Sequence, residues 1–156
     1  MTIYMLSGPV GSGKTTFARA LEEKGAVRFS IDEWMIRLYG HYMSEDLRDT
    51  RQARCRRLFL DMAQEIGAIG VDVVLDCGFW RRRHRDEARN RLTGAGLPVE
   101  IVYFDVPSGE RWRRLMARNL ALPADCYHIT RAMFDAFDPR CDPPGPDEPV
   151  RLIGSP

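Results

Sequence analysis

Short apolar runs of strand length and β-branched or aromatic character recur at residues 3–6, 26–29, 71–75, 99–104 and 150–153. Helix-length stretches separate them. In the longest, Cys55, Leu58, Phe59, Met62, Ala63 and Ile66 follow one another at three- and four-residue steps, which predicts one apolar helix face, stopped by Gly67 and Gly70. Val71-Asp72-Val73-Val74-Leu75 suits a strand buried on both faces of a parallel sheet. Strand and helix in alternation predict βαβ units and an open α/β sandwich, in which ligands sit beyond the carboxyl ends of the strands. Only residues 138–149, with five of the ten prolines, read as irregular.

Composition narrows the class. At 156 residues, with 44% hydrophobic and 29% charged residues, the chain reads as a single domain over 1–156 that folds without disulfides, which excludes fibrous, disordered and large two-domain proteins. The formal net charge of +1 argues against binding driven by global attraction to a polyanion. Of the 23 lysines and arginines only Lys14 and Lys24 are lysines, so cationic chemistry here is almost entirely that of the guanidinium fork. Cys55, Cys77, Cys126 and Cys141 show neither metal-ligand nor disulfide-framework spacing and read as reduced, packed thiols. No signal segment or long apolar run is present, so a cytoplasmic protein with no membrane contact is expected.

The first strand runs into Gly8, Pro9, Val10, Gly11, Ser12, Gly13, Lys14 and Thr15, which fill every fixed position of G-x-x-x-x-G-K-[ST]. Thr16 follows, and Phe17, Ala18, Ala20 and Leu21 open a helix. Glycines let successive backbone N–H groups point inward at a phosphate, and the helix N-terminus adds positive potential. Lys14 is placed to reach the β and γ phosphates and Thr15 to ligate Mg²⁺. ATP is the expected nucleotide, because neither lysine follows an asparagine as guanine-reading N-K-x-D requires. Asp76 ends the third strand and is followed by Cys77 rather than a water-activating glutamate, which argues against motor-type and AAA-type ATPases. The length also leaves no room for an AAA module with a helical lid domain. His84-Arg85-Asp86 imitates a protein-kinase catalytic loop, but Asn90 is one residue out of place and no D-F-G follows. A small kinase that passes a phosphoryl group to a bound acceptor remains.

Such a kinase needs a carboxylate at the acceptor hydroxyl. Asp32, just beyond the second strand, is the candidate base, with a helix N-cap as its alternative role. Arg37, on the same predicted helix, reads as a contact to an anionic acceptor or as an exposed arginine. Asp76 is placed to hold Mg²⁺ or to bond the acceptor, and spacing leaves both open. Trp34 and Trp80 are the candidate walls of an acceptor pocket, with Tyr39, Tyr42 and Phe79 nearby. Arg81 through Glu87 reads as a solvated helix face, or as a polynucleotide contact. Between residues 108 and 121, Arg111, Arg114 and Arg118 share one helix face and suit a lid, over about residues 111–131, that neutralises the γ-phosphate; Arg131 is a further candidate.

These residues together resemble the small P-loop kinases related to zeta toxin, chloramphenicol phosphotransferase and phage polynucleotide kinase, and the short bacterial AAA-family ATP-binding proteins grouped with them. The resemblance rests on residues 8–15, Asp32, residues 76–80, residues 114–119 and the proline-rich stretch near Glu148. It implies a P-loop NTPase three-layer sandwich with strand order 2-3-1-4-5 and a small helical lid. Asp32 would be the acceptor-activating base, Lys14, Arg114 and Arg118 would hold the phosphates, and residues 143–149 would run beside the adenine. The expected activity is ATP- and Mg²⁺-dependent transfer of the γ-phosphate to a hydroxyl of a small-molecule acceptor. Two alternatives stand beside it: a polynucleotide 5′-hydroxyl kinase, with a nucleic-acid acceptor, and a non-catalytic ATP-binding regulatory or toxin-like module.

Overall fold

The β-branched and aromatic runs form the strands they predict. In the computed structural model, which describes residues 1–42 and 44–154, these are β1 (Ile3–Ser7), β2 (Val27–Ser30), β3 (Val73–Gly78), β4 (Val99–Asp105) and β5 (Val150–Gly154). All neighbouring strands are parallel and the order is β2-β3-β1-β4-β5, as expected. The helices are α1 (Lys14–Glu22), α2 (Ile31–Tyr39), α3 (Glu45–Ala68), α4 (Arg82–Gly94), α5 (Ser108–Ala121) and α6 (Arg131–Phe137). No described helix is long and apolar enough to cross a membrane.

The two faces of the sheet carry separate cores. Val73, Leu75 and Cys77 of β3 pack with Phe29, Met35, Phe59 and Leu92, while Val74 packs with Leu6, Ala18 and Val102 on the face covered by α1. Because successive strand residues face opposite ways, Asp76 falls on the side of Val74, toward the start of α1. This alternation is what brings the end of β3 to the phosphate loop.

Two sequence expectations change. Helix α3 begins at Glu45, runs through Gly67 and ends at Ala68, with Gly70 in a left-handed conformation beyond it. Leu58, assigned to its apolar face, is 45% exposed; Cys55, Phe59, Leu60 and Ala63 form the buried side. The proline-rich stretch is not wholly irregular, since Asp138–Arg140 forms a 3₁₀ turn.

What fixes the irregular segments is Arg85. Read as part of a solvated face, it is instead 0% exposed, the largest fully buried side chain. Its Nε and Nη2 donate to the two oxygens of Glu148 at 2.7 and 2.8 Å, and Nη1 donates to the carbonyls of Phe79, Trp80 and Asp142. One guanidinium thus ties the loop after β3 to the proline-rich stretch. Phe79 adopts φ 38°, a strained value for a non-glycine, and its carbonyl is held from the other side by the Ser7 hydroxyl at 3.0 Å.

Arg85 holds the Glu148 carboxyl below its ordinary value of 4.5, so the pair stabilises the fold above that value and the contribution disappears as pH falls. Removing one partner of a buried pair strands the other charge, at a cost of about 3–5 kcal/mol. Glu148→Ala is therefore expected to destabilise by about 3 kcal/mol. In urea denaturation at pH 7, Asp147→Ala, which breaks the neighbouring exposed pair with Arg82, serves as the control and should shift the midpoint little.

Candidate active site

Between β1 and α1 the chain turns back with Gly8 at φ 137°, Gly11 at φ 79° and Gly13 at φ 96°. A Cβ on Gly8 would lie 2.9 Å from the Phe104 carbonyl, and one on Gly11 would lie 2.8 Å from the Arg111 carbonyl. Neither position accepts a side chain, because β4 and α5 press directly on the loop. Lys14 folds back over it, donating to the carbonyls of Gly8 and Pro9 at 2.8 and 2.7 Å and to the Ser12 hydroxyl at 3.3 Å. Burial pulls the Lys14 pKa down, and the nearby Asp76 carboxylate opposes that shift.

The Thr15 hydroxyl donates to Asp76 Oδ2 at 2.8 Å. Burial raises the Asp76 pKa against the opposing effects of Lys14 and this hydrogen bond. Two hard oxygen donors beside a phosphate cradle fit the ligand preference of Mg²⁺, so the residues expected to hold the metal are together.

A cleft of about 1390 Å³ opens over the loop, and Asp32 is among the residues that line it with the phosphate loop. Asp32 lies in the first turn of α2, with Ser30 as N-cap residue, so it does not cap the helix. Among the described residues it has no hydrogen-bond or ion-pair partner, whereas the adjacent Glu33 accepts from Arg28 at 2.8 and 3.0 Å. Asp32 is open to water inside the cleft yet enclosed by protein. Desolvation and then the Asp76 charge push its pKa up to about 6, against the opposing charges of Arg118, Lys14 and Arg48.

The arginines of α5 divide. Arg118 lines the cleft and donates through Nη2 to the Tyr127 carbonyl at 3.1 Å, while its Nε, buried from solvent, has no partner among the described residues. Arg114 is held at the rim by Glu110 at 2.8 Å, with Nη1 at 3.5 Å from the Ser12 carbonyl. Arg111 is not available to phosphate: it is buried, paired with both oxygens of Asp138 and bonded to the Val106 and Val10 carbonyls. It shares a helix face with buried Leu115, four residues on, a pattern that was visible in the sequence. Arg131 pairs with Asp135 and lies against Trp112 and Phe134, outside the cleft lining.

The aromatic expectations also divide. Trp80 lines the cleft and its ring lies 5.5 Å from that of Phe137. Trp34 does not: it packs edge-on against Phe29 and Phe59 in the core. Ile31, Trp34 and Met35 form one helix face, and that spacing marks Trp34 as core. Arg37 is exposed on α2 away from the cleft, and Tyr42 is 97% exposed. Residues 143–149 are not among the cleft lining, which includes Met133, Ala136, Phe137 and Arg140 from the segment before them. In the basic run after Trp80, Arg81 pairs with Asp142, Arg82 with Asp147 and Arg85 with Glu148, which removes most of the charge a polynucleotide contact would use. Sequence reasoning missed Arg48, Gln52 and Arg56 of α3, which line the cleft on the side of Asp32.

The fold and this cleft define a P-loop nucleotide-binding protein of the small kinase type. The chain belongs to the AAA domain family AAA_33, whose model matches residues 3–144. The expected grouping with short AAA-family ATP-binding proteins is thus borne out, and the argument from length and Cys77 concerns only AAA modules with an added helical domain and a water-activating glutamate. A gluconokinase of Gluconobacter oxydans (strain 621H) is 28% identical over 150 residues, covering 94% of this chain and 78% of its own length. Among solved structures, Chaetomium thermophilum Kti12 in complex with ADP-AlF3 superposes with TM-score 0.73 at 20% identity, covering 97% of this chain and 88% of the other. Mycobacterium tuberculosis APS kinase CysC in complex with AMPPNP and APS gives 0.60 at 20% identity, covering 98% and 87%. The resemblance to small P-loop kinases is thus borne out; the two superpositions concern the fold alone.

Losing one charge-assisted hydrogen bond costs about 1.5–3 kcal/mol. Lys14→Ala is expected to weaken ATP binding by about 10- to 150-fold on that basis, measured by titration calorimetry. Arg37→Ala should leave the affinity unchanged, which checks that Arg37 stands outside the cleft.

Proposed function

We propose that this protein is an ATP- and Mg²⁺-dependent phosphotransferase that moves the γ-phosphoryl group of ATP to a hydroxyl of a small-molecule acceptor. One observation carries the reading: an unpartnered carboxylate, Asp32, shares a single cleft with Lys14, Arg118 and the Thr15–Asp76 pair. The kinase relatives support phosphoryl transfer in general.

Asp32 accepts the proton of the acceptor hydroxyl as that oxygen bonds to the γ-phosphorus. The bond from phosphorus to the β,γ-bridging oxygen breaks, and its electron pair stays on ADP. Lys14, which now occupies the loop carbonyls, turns to the phosphoryl oxygens, and Arg118 and Arg114 donate to them from α5. Closure of α5 and residues 122–131 over the nucleotide excludes water. Thr15 and Asp76 would hold Mg²⁺, which when bound neutralises charge on the β and γ phosphates. Lacking a glutamate beside Asp76, the site provides poorly for a water nucleophile.

General-base catalysis is worth about 10²- to 10⁴-fold, so Asp32→Asn should lower kcat by that factor with ATP affinity nearly intact. A variant that keeps near wild-type turnover removes Asp32 from the role. Because a protonated carboxyl cannot take the hydroxyl proton, kcat/KM of the wild type should fall on the acid side with an apparent pKa near 6. Asp32 has a folded pKa above its ordinary value of 3.8, so folding is penalised increasingly as pH rises from 3.8 through 6. Asp32→Asn should consequently raise Tm more at pH 8 than at pH 4, read by scanning calorimetry.

A further inference from the structure

We propose that the half of the cleft beside Asp32 is an anion site, so that the hydroxyl compound carries a carboxylate or phosphate at the end remote from the reacting oxygen. The inference rests on the phosphotransfer reading and names its substrate class.

Arg48, Gln52 and Arg56 stand at four-residue steps on α3 and therefore share one face, and all three line the cleft. The start of α4 adds Arg83 and His84 to the cleft lining, while Arg81 beside them is paired with Asp142. The most deeply buried arginines elsewhere are matched: Arg28 with Glu22 and Glu33, Arg85 with Glu148, Arg111 with Asp138. Arg48 and Arg56 have no carboxylate partner among the described residues, although both are half-buried. Arg48 only rests over the Tyr127 ring, 5.6 Å from its centre.

Of the cleft carboxylates only Asp32 acts on this wall, through Arg48, and none forms an ion pair with Arg48 or Arg56 among the described residues. Asp76 is engaged by Thr15, Glu33 by Arg28 and Asp125 by Arg19 at 2.7 Å. Asp49 is exposed beside Arg48, and Asp32 is the proposed base. Arg56 acts electrostatically on both the Cys77 thiol and His84, so its charge lies between the end of β3 and the start of α4. Burial, followed by Arg56 and Arg83, pulls the His84 pKa down, and its Nε2 accepts from Arg83 Nε at 3.3 Å. Two unmatched guanidiniums at this depth are the donor set for a carboxylate or phosphate. A polynucleotide backbone is the weaker fit, because the outer arginines Arg81 and Arg82 are already paired.

The test uses the full chain and matched probes: glycerol, glycerate and glycerol 3-phosphate; glucose, gluconate and glucose 6-phosphate; and a 5′-hydroxyl oligothymidylate. ADP formation is followed with ATP, and calorimetric binding with a non-hydrolysable ATP analogue. The expected result is that an anionic member exceeds its neutral partner in kcat/KM by about tenfold or more. Arg56→Gln and Arg48→Gln should raise its KM by about the same factor, with ATP affinity unchanged and Arg56→Lys partly restoring it. Equal use of neutral and anionic members overturns the anion site and leaves phosphotransfer standing. Anion binding that the arginine variants weaken, without turnover, leaves the anion site standing and overturns phosphotransfer. Stimulation by the oligonucleotide alone, or no binding and no turnover by any probe, overturns the proposal.

Discussion

The turn between β1 and α1 is the constraint on which the other parts depend. A polypeptide presents several N–H groups to one anion only where the backbone reverses through conformations that side chains resist. Gly8 and Gly11 meet that demand, and both are hemmed in by neighbouring backbone: Phe104 of β4 against the first, Arg111 of α5 against the second. The loop is therefore not a free strap. Its shape is set by the strand and the helix that press on it, and Arg111, by binding the Val10 carbonyl and Asp138 together, transmits the position of the 3₁₀ turn to it.

A second buried guanidinium does the same work on the opposite wall. Arg85 gathers the carbonyls of Phe79, Trp80 and Asp142 and the carboxylate of Glu148, and so holds the strained turn after β3 against the proline-rich stretch. The Gly8 N–H donates to the Gly78 carbonyl at 3.2 Å, which couples that turn to the phosphate loop. The two guanidiniums thus position the cleft from inside the protein, while Arg114, Arg118, Arg48 and Arg56 face it. An arginine-rich chain with a net charge of +1 divides its cations between structure and binding, and burial together with carboxylate pairing tells the two apart.

Much of this was legible in the sequence. The β-branched and aromatic runs and the glycine spacing of residues 8–15 encode strands and phosphate loop locally, and the family resemblance supplied the strand order that the structure bears out. Asp32 and Asp76 both line the cleft, Asp32 just beyond β2 and Asp76 within the last half of β3, near the carboxyl edge of a parallel sheet. Less legible was anything that depends on partners distant in sequence. Arg85 and Glu148 are 63 residues apart, and no local pattern separates a buried arginine from its solvated neighbours Arg82 and Arg83. Trp34 and Arg111 were misread although helical spacing marked their faces, since aromatic and cationic chemistry was weighed ahead of packing. The Arg48, Gln52 and Arg56 stripe escaped because the apolar pattern that defines α3 begins only at Cys55.

The central claim is that the cleft directs the γ-phosphoryl group to a hydroxyl compound and not to water. The most direct measurement follows γ-labelled ATP in ¹⁸O-enriched water with the acceptor that supports turnover, and locates the label and the ¹⁸O by mass spectrometry. The account predicts phosphorylated acceptor equal in amount to ADP, with no solvent oxygen in the transferred phosphoryl group. Inorganic phosphate equal in amount to ADP and carrying one solvent oxygen would contradict it.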